Sequence, residues 1–217
     1  MTVTKPAFIV AGCAAVLLVV GSLGAAESRD SVSEVREVET FTRIVTKGSV
    51  DVNVKIGSPQ SVEVTAHERI MDKVETTVDD GALTIKLKRG SYRSRGTISA
   101  DITVAALEGL SISGSGDADI SGVDSDVLVF KISGSGDIRA DGSCGDLTVK
   151  ISGSGDIDTK ELQCVNAEVR ISGSGDAEVY ASAEFSGKIS GSGDIGLYGG
   201  AKMQQVSVAG SGEVSTY

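Results

Sequence analysis

The stretch Ile151-Ser-Gly-Ser-Gly-Asp156 decides the fold of this chain, because close variants of it recur along the C-terminal half. Its Gly-Ser-Gly triplet starts at Gly114, Gly134, Gly153, Gly173, Gly191 and Gly210, with spacings of 20, 19, 20, 18 and 19 residues. A nearly fixed period of this length is typical of a solenoid in which each repeat forms one coil. Proline, which cannot donate to a strand ladder, is absent from the repeats.

Apolar residues keep fixed positions relative to each triplet, which predicts two strands flanking a tight turn. Two residues before the triplet lie Ile112, Ile132, Ile151, Ile171, Ile189 and Val208, and four before it lie Leu110, Phe130, Val149, Val169, Gly187 and Val206. Four residues after its first glycine lie Ala118, Ile138, Ile157, Ala177, Ile195 and Val214, and six after it lie Ile120, Ala140, Thr159, Val179, Leu197 and Thr216. These columns face inward and stack in ladders about 4.8 Å apart.

The predicted fold class is therefore all-β. We expect a parallel β-solenoid (a β-helix) of about six rungs, preceded by a strand-rich N-terminal part. The crossover rule for parallel strands favours a right-handed coil. Glycine at the corners permits the positive φ that a sharp turn requires.

The domain organisation follows from where the alternation begins. Residues 41–106 alternate apolar and polar side chains with period two, which predicts β-strands. We predict a single domain over residues 41–217, with alternating strands in 41–106 and the repeat solenoid, about 20 residues per rung, in 107–217. Residues 27–40 are charged and aperiodic, and we interpret them as a linker or a leading strand.

The N-terminal residues 1–26 have the features of a secretory signal peptide. Lys5 precedes an apolar run over residues 7–20, and the small residues Gly24 and Ala26 stand before a polar boundary. Two alternatives stay open: Val10-Ala-Gly-Cys13 resembles a bacterial lipobox, and residues 7–26 are long enough to remain as an uncleaved anchor. All three routes export the rest of the chain, to the periplasm, cell surface or extracellular space. Membrane contact is expected only through an uncleaved or lipidated N-terminus.

Composition narrows the function classes. The chain has 217 residues and a net charge of −10, which argues against nucleic acid as a partner because phosphate binding needs clustered Lys and Arg. The single histidine, His67, excludes a His-rich metal site and weakens any Ser-His or Cys-His nucleophile. We expect His67 to be a surface or edge residue. The sequence indicates no cofactor.

The reiterated Ile-Ser-Gly-Ser-Gly-Asp motif, after a segment such as Arg43-Ile-Val-Thr-Lys-Gly-Ser-Val-Asp-Val52, resembles the head GIN domain family of bacterial auto-transporter adhesins. The resemblance covers roughly residues 40–216. It implies an exported all-β protein with an adhesin-like surface or binding role. The resemblance assigns no catalytic residues to this chain.

An acidic column follows the triplets at Asp117, Asp137, Asp156, Asp176, Asp194 and Glu213. We interpret it as turn chemistry, in which Asp accepts backbone N–H bonds in Asx-turns. Calcium coordination by this column is the alternative, since calcium prefers oxygen ligands. The spacing, however, does not fit the nonapeptide calcium repeat. No other metal site is predicted. A catalytic role is disfavoured because glycosidases need one differentiated carboxyl pair.

A basic column faces outward at Lys131, Lys150, Arg170 and Lys188, with Ser111 and Ser207 at its two ends. We expect it to be a solvated sheet face whose long stems cover apolar surface. Binding of an anionic polymer is the alternative.

A tyrosine column appears in the last three rungs at Tyr180, Tyr198 and Tyr217, seven residues after each triplet start. Position seven alternates outward from the buried positions four and six, so the rings should share one exposed stripe. The stripe is either a packing ladder or an aromatic platform for a glycan or a partner protein.

The two cysteines of the repeat region, Cys144 and Cys164, each lie nine residues before a triplet. They should therefore occupy equivalent positions on adjacent rungs, with Cα atoms about 5 Å apart, within disulfide range. Export would allow oxidation. The alternative is a pair of buried thiols.

The function we expect is that of a non-enzymatic, exported structural or interaction module that adheres to a glycan or a surface protein. A polysaccharide-acting β-helix enzyme is the first alternative. An envelope-anchored scaffold or sensor component is the second.

Overall fold

The computed structural model describes residues 30–90 and 96–217, and most of this part of the chain is β-strand. The signal-peptide and Cys13 interpretations lie outside the described residues. Within these ranges the one helix is α1, Glu68–Met71, and no helix is long and apolar enough to cross a membrane.

Fifteen strands form one sheet. The N-terminal strands are β1 Ser31–Val35, β2 Arg43–Gly48, β3 Val50–Ile56, β4 Ser61–His67, β5 Val74–Asp79, β6 Ala82–Leu87 and β7 Ile98–Val104. The strands of the repeat region are β8 Gly109–Gly114, β9 Ala118–Gly134, β10 Ile138–Gly153, β11 Ile157–Gly173, β12 Ala177–Gly191, β13 Ile195–Tyr198, β14 Lys202–Gly210 and β15 Val214–Thr216.

The repeats stack as a parallel β-solenoid, which confirms the predicted fold. Strands β9 to β12 each pair in parallel with the next, so that corresponding repeat positions lie opposite one another. Ile151, for example, lies between Ile132 and Ile171. Each long strand runs from one Gly-Ser-Gly corner to the next, with a register shift where the coil bends.

The solenoid begins earlier than the triplet repeat, because β2 and β3 form a rung of their own. β2 pairs in parallel with β8, with Gly48 opposite Gly114, and β3 pairs in parallel with β9, with Val52 opposite Ala118. The segment Lys47-Gly-Ser-Val-Asp51 is therefore a degenerate corner of the same coil. Residue 107 marks the start of the clear repeat but not a change of architecture.

The other N-terminal strands cover the first rung. β6 and β7 pair in parallel with β2 and β3, β5 adds antiparallel to β6, and β4 adds antiparallel to β7. β1 pairs antiparallel with β4, so residues 27–40 include a leading strand. His67 ends β4 and caps helix α1, where its Nδ1 accepts from the Arg69 N–H at 3.2 Å. Its ring is partly buried, near the edge where β1 joins β4.

The core consists of the predicted aliphatic columns. At one column position the side chain is missing, and a residue two positions earlier fills the space. Gly187 stands where the other rungs carry a large apolar side chain. The buried Phe185 fills this space, since a Cβ on Gly187 would lie 2.9 Å from Phe185 Cζ. At the last rung, Val206 and Val208 are 41% and 42% exposed, because no further rung covers β14 in the described chain.

The corners bring backbones closer together than any side chain would allow. The first glycines of the triplets have φ between +138° and +146°. At both the first and the third glycine, an added Cβ would lie 1.9–2.1 Å from a carbonyl oxygen of the rung below. The serine between them donates its N–H to the first glycine's carbonyl of the preceding rung, as from Ser154 to Gly134 at 2.9 Å. Positive φ therefore explains why the first position of the triplet is glycine. The close approach of stacked backbones explains why both the first and the third positions are glycine.

Cys144 and Cys164 lie opposite each other on β10 and β11 and form a disulfide, with Cα atoms 4.4 Å apart. Both are buried, at 7% and 1% exposed. The bond links two adjacent rungs across 20 residues of chain.

We predict that the Cys144→Ala/Cys164→Ala variant loses about 3 kcal/mol of unfolding free energy, because a loop of this length no longer restricts the unfolded chain. Urea denaturation with and without reductant measures this. The reductant should destabilise the wild type and leave the variant unchanged. A wild type indifferent to reductant would contradict the prediction.

Candidate functional site

The tyrosine column lies on the outer face of the strands that follow each corner. In β12 and β13, buried residues alternate with partly exposed ones, so every second side chain points away from the core. Tyr180 lies opposite Tyr198 in the parallel pairing of these strands. We call the tyrosine face the surface formed by Asp158, Lys160, Glu178, Tyr180, Gly196, Tyr198 and Tyr217.

Tyr198 and Tyr217 stack on each other. Their ring centroids are 5.0 Å apart with planes inclined by 19°, which is an offset stack. Tyr217 is 74% exposed, so most of its ring contacts solvent. Gly196 leaves room beneath both rings: a Cβ placed there would lie 3.5 Å from Tyr217 and 3.6 Å from Tyr198. The two rings thus form one apolar ledge above a glycine.

Tyr180 packs differently from the other two tyrosines. Its ring lies over Gly199, where an added Cβ would come within 2.7 Å of Tyr180 Cζ. Tyr180 is consequently only partly exposed. The three tyrosines share one stripe, but the ring of Tyr180 packs against the backbone of Gly199.

Charged residues extend the stripe on the preceding rung. Lys160 Nζ lies 2.6 Å from Glu178 Oε2 and 3.0 Å from Asp158 Oδ2, so that one ammonium bridges two carboxylates of adjacent rungs. These contacts, first to Glu178 and then to Asp158, raise the pKa of Lys160 and keep the lysine charged. The sequence analysis did not predict this contact between Asp158, Lys160 and Glu178, although the three residues lie in the columns five and seven residues after the start of each triplet.

The phenol of Tyr198 is held in its neutral form. Partial removal from water raises its pKa above the ordinary 10.0, and the negative charge of Glu178 raises it further. A neutral phenol both donates and accepts hydrogen bonds. The tyrosine face therefore offers an apolar ledge, the neutral hydroxyl of Tyr198, one ammonium and two carboxylates.

The acidic column forms a continuous hydrogen-bonded ladder between rungs. The Oδ1 atom of each aspartate accepts the backbone N–H of the equivalent residue on the next rung, as from Asp176 to Asp156 at 2.8 Å. The six links measure 2.7–3.0 Å, and their acceptors are Asp51, Asp117, Asp137, Asp156, Asp176 and Asp194. Glu213 donates its N–H at the end of the series.

This geometry corrects the expected Asx-turns. The carboxylates bond to the neighbouring rung rather than within their own turn, because the corner stacks on the corner below with its N–H directed along the solenoid axis. Asp51 of the degenerate corner starts the ladder, and the sequence prediction missed it. Within the described residues, no group of three or more His, Cys, Asp or Glu side chains is arranged to hold a metal ion.

The fold and the site define a class of protein: a β-solenoid that displays fixed columns of side chains on a rigid frame. The chain belongs to the family described as "Putative auto-transporter adhesin, head GIN domain", whose model matches residues 40–201. No curated protein matches the chain.

Solved structures share the fold. A "putative adhesin" from Bacteroides fragilis NCTC 9343 is 19% identical, with a TM-score of 0.72 over 89% of this chain and 100% of that one. A "putative adhesin" from Parabacteroides distasonis ATCC 8503 is 21% identical, with a TM-score of 0.59 over 86% and 97%. A "Putative lipid binding protein" from the same strain is 21% identical, with a TM-score of 0.51 over 88% and 98%.

We predict that Asp156→Asn is neutral or slightly stabilising, because the amide oxygen still accepts the Asp176 N–H while one charge leaves the column. Asp156→Ala should cost about 1 kcal/mol, since that N–H loses its partner. Chemical denaturation of both variants measures the difference.

The same variants test calcium binding. We expect chelator and millimolar calcium to leave the melting temperature unchanged. A rise in melting temperature with calcium that disappears in Asp156→Asn would overturn the hydrogen-bond account, because a ligand of the folded state stabilises by mass action.

Proposed function

We propose that this chain is a non-enzymatic, exported interaction module that binds a surface glycan through its tyrosine face. The observation that carries the proposal is the Tyr198–Tyr217 stack over Gly196 beside the Lys160 bridge. A sugar ring has an apolar C–H face and a rim of hydroxyls, so it needs an apolar ledge beside fixed hydrogen-bonding groups. The tyrosine face supplies both at neighbouring positions.

Rigidity supports this use of the surface. The stripe lies on paired strands, so its groups are held in place before a ligand arrives, and little ordering entropy opposes binding. Membership of an adhesin-named family agrees with a binding role.

Export is part of the same proposal. It rests on the signal-like N-terminal residues, on the family and on the disulfide, since such bonds persist mainly in oxidising compartments. Cell fractionation separates a free exported module from the alternative of an envelope-anchored scaffold or sensor component.

The acidic column does not support the alternative function of a polysaccharide-acting enzyme. Its five aspartates use the same oxygen atom for the same bond on successive rungs. Such uniformity gives no pair the distinct acid and base environments that glycoside hydrolysis requires.

We predict that Tyr198→Ser and Tyr217→Ser each weaken glycan binding by about 1 kcal/mol or more while the fold stays intact, because both rings point outward. A glycan array with the purified exported protein identifies the ligand, and calorimetry on the best hit measures the affinities. Tyr198→Phe is the matched control, since it keeps the ring and removes only the hydroxyl.

Two outcomes would contradict the proposal. One is unchanged binding by a folded Tyr198→Ser/Tyr217→Ser variant. The other is cleavage of an array glycan, seen as new chain ends, that is lost when Asp156 is replaced by Asn.

A further inference from the structure

A second surface lies on the strands that precede each corner, away from the tyrosine column. Lys131, Lys150, Arg170 and Lys188 are opposite one another on four consecutive rungs. All four are exposed. We call this surface the basic track; it also includes the exposed serine column Ser113, Ser133, Ser152, Ser172 and Ser190.

Three of the four cations of the basic track have no carboxylate partner in the part of the chain that the structure describes. Arg170 pairs with Glu168 at 2.5 Å. Lys131, Lys150 and Lys188 have no carboxylate within 4.0 Å among the described residues. Lys160, by contrast, contacts two carboxylates. Within the described part of the chain, these lysines therefore leave their charges open to an anion from solution.

Mutual repulsion makes this arrangement costly in the free protein. The four cations lie opposite one another on rungs about 4.8 Å apart, so their like charges repel along the column. The fold does not require a cation here, since the same column carries Ser111 and Ser207 on other rungs. A bound anion on each rung would convert this repulsion into attraction.

The serine column adds neutral hydrogen-bonding groups. Four of its five serines lie two residues after a basic residue on the same strand and so on the same face, as Ser152 follows Lys150, whereas Ser113 follows Ser111. The two columns line a shallow groove of about 580 Å³ that runs across five rungs. Each of the four central rungs therefore presents one cation and one hydroxyl at the same spacing.

We infer that the basic track binds a linear acidic polysaccharide with one carboxylate on each sugar. The carboxylates would meet the cation column, and the sugar hydroxyls would meet the serine column. The remaining surface favours a narrow polymer: the chain carries a net charge of −10, and the acidic ladder begins six residues beyond the cations. A wide polyanion such as duplex DNA would face that repulsion, whereas a single polysaccharide chain fits within the groove.

The test compares two doubly substituted proteins of equal charge. Lys131→Ser/Lys150→Ser removes two neighbouring cations of the track and introduces the residue that the column already carries elsewhere. Lys55→Ser/Lys202→Ser removes two exposed lysines outside the track. Calorimetry measures binding to polygalacturonate at low salt with chelator present, so that divalent cations do not bridge the carboxylates. Neutral dextran, duplex DNA and anionic lipid vesicles are the comparison probes.

We expect wild type to bind polygalacturonate in preference to all three comparison probes. The track variant should bind at least tenfold more weakly, and the control variant should stay within about twofold. Affinity should fall with added salt, and the slope should decrease by about one for each lysine removed, as for other polyanions. Tyr198→Ser/Tyr217→Ser should leave this binding unchanged, which separates the track from the proposed glycan site.

Three results would overturn the inference. Equal losses in the track and control variants would show an effect of net charge alone. Equal binding of dextran would show that the carboxylates do not matter. Tighter binding of duplex DNA or vesicles than of polygalacturonate would assign the track to a different class of partner.

Discussion

The close approach of glycine backbones at the stacked corners is the constraint on which the rest of the structure depends. Each triplet glycine places its Cα where any Cβ would collide with a carbonyl oxygen about one rung below. That contact lets the serine N–H reach the preceding rung and the aspartate carboxylate accept from the following one. The corner therefore fixes the rung spacing and the register together. As a result, the side chains of every outward column lie opposite one another at that spacing.

Two faces with different chemistry follow from this common register. After the corner, the outward positions carry the Lys160 bridge and the stacked tyrosines; before it, they carry a column of exposed cations beside serine hydroxyls. Because the strands keep their register on either side of each corner, the chemistry of each face there depends on which side chains fill its columns. A repeating ligand, such as a polysaccharide, suits a surface whose own groups repeat at a fixed interval.

Positions relative to the triplet were sufficient to predict the fold, the inward columns of every rung but the last, and the alignment of Cys144 with Cys164. Side-chain contacts between rungs were harder to predict, because they join residues about 20 positions apart whose orientation the repeat alone does not specify. The Asp156 bond to the next rung and the Lys160 bridge are of this kind. The degenerate corner at residues 47–51 could have been predicted from the sequence, since Lys-Gly-Ser-Val-Asp aligns with Ser-Gly-Ser-Gly-Asp.

The most direct measurement of the corner constraint is the unfolding free energy of Gly155→Ala beside that of Gly196→Ala. Neither glycine has positive φ, but a Cβ at Gly155 would lie 2.0 Å from the Gly136 carbonyl oxygen, whereas one at Gly196 would meet only side chains at 3.5 Å or more. The account predicts a loss of about 3 kcal/mol or more for Gly155→Ala and a change within about 1 kcal/mol for Gly196→Ala. Equal stability of the two variants would contradict it.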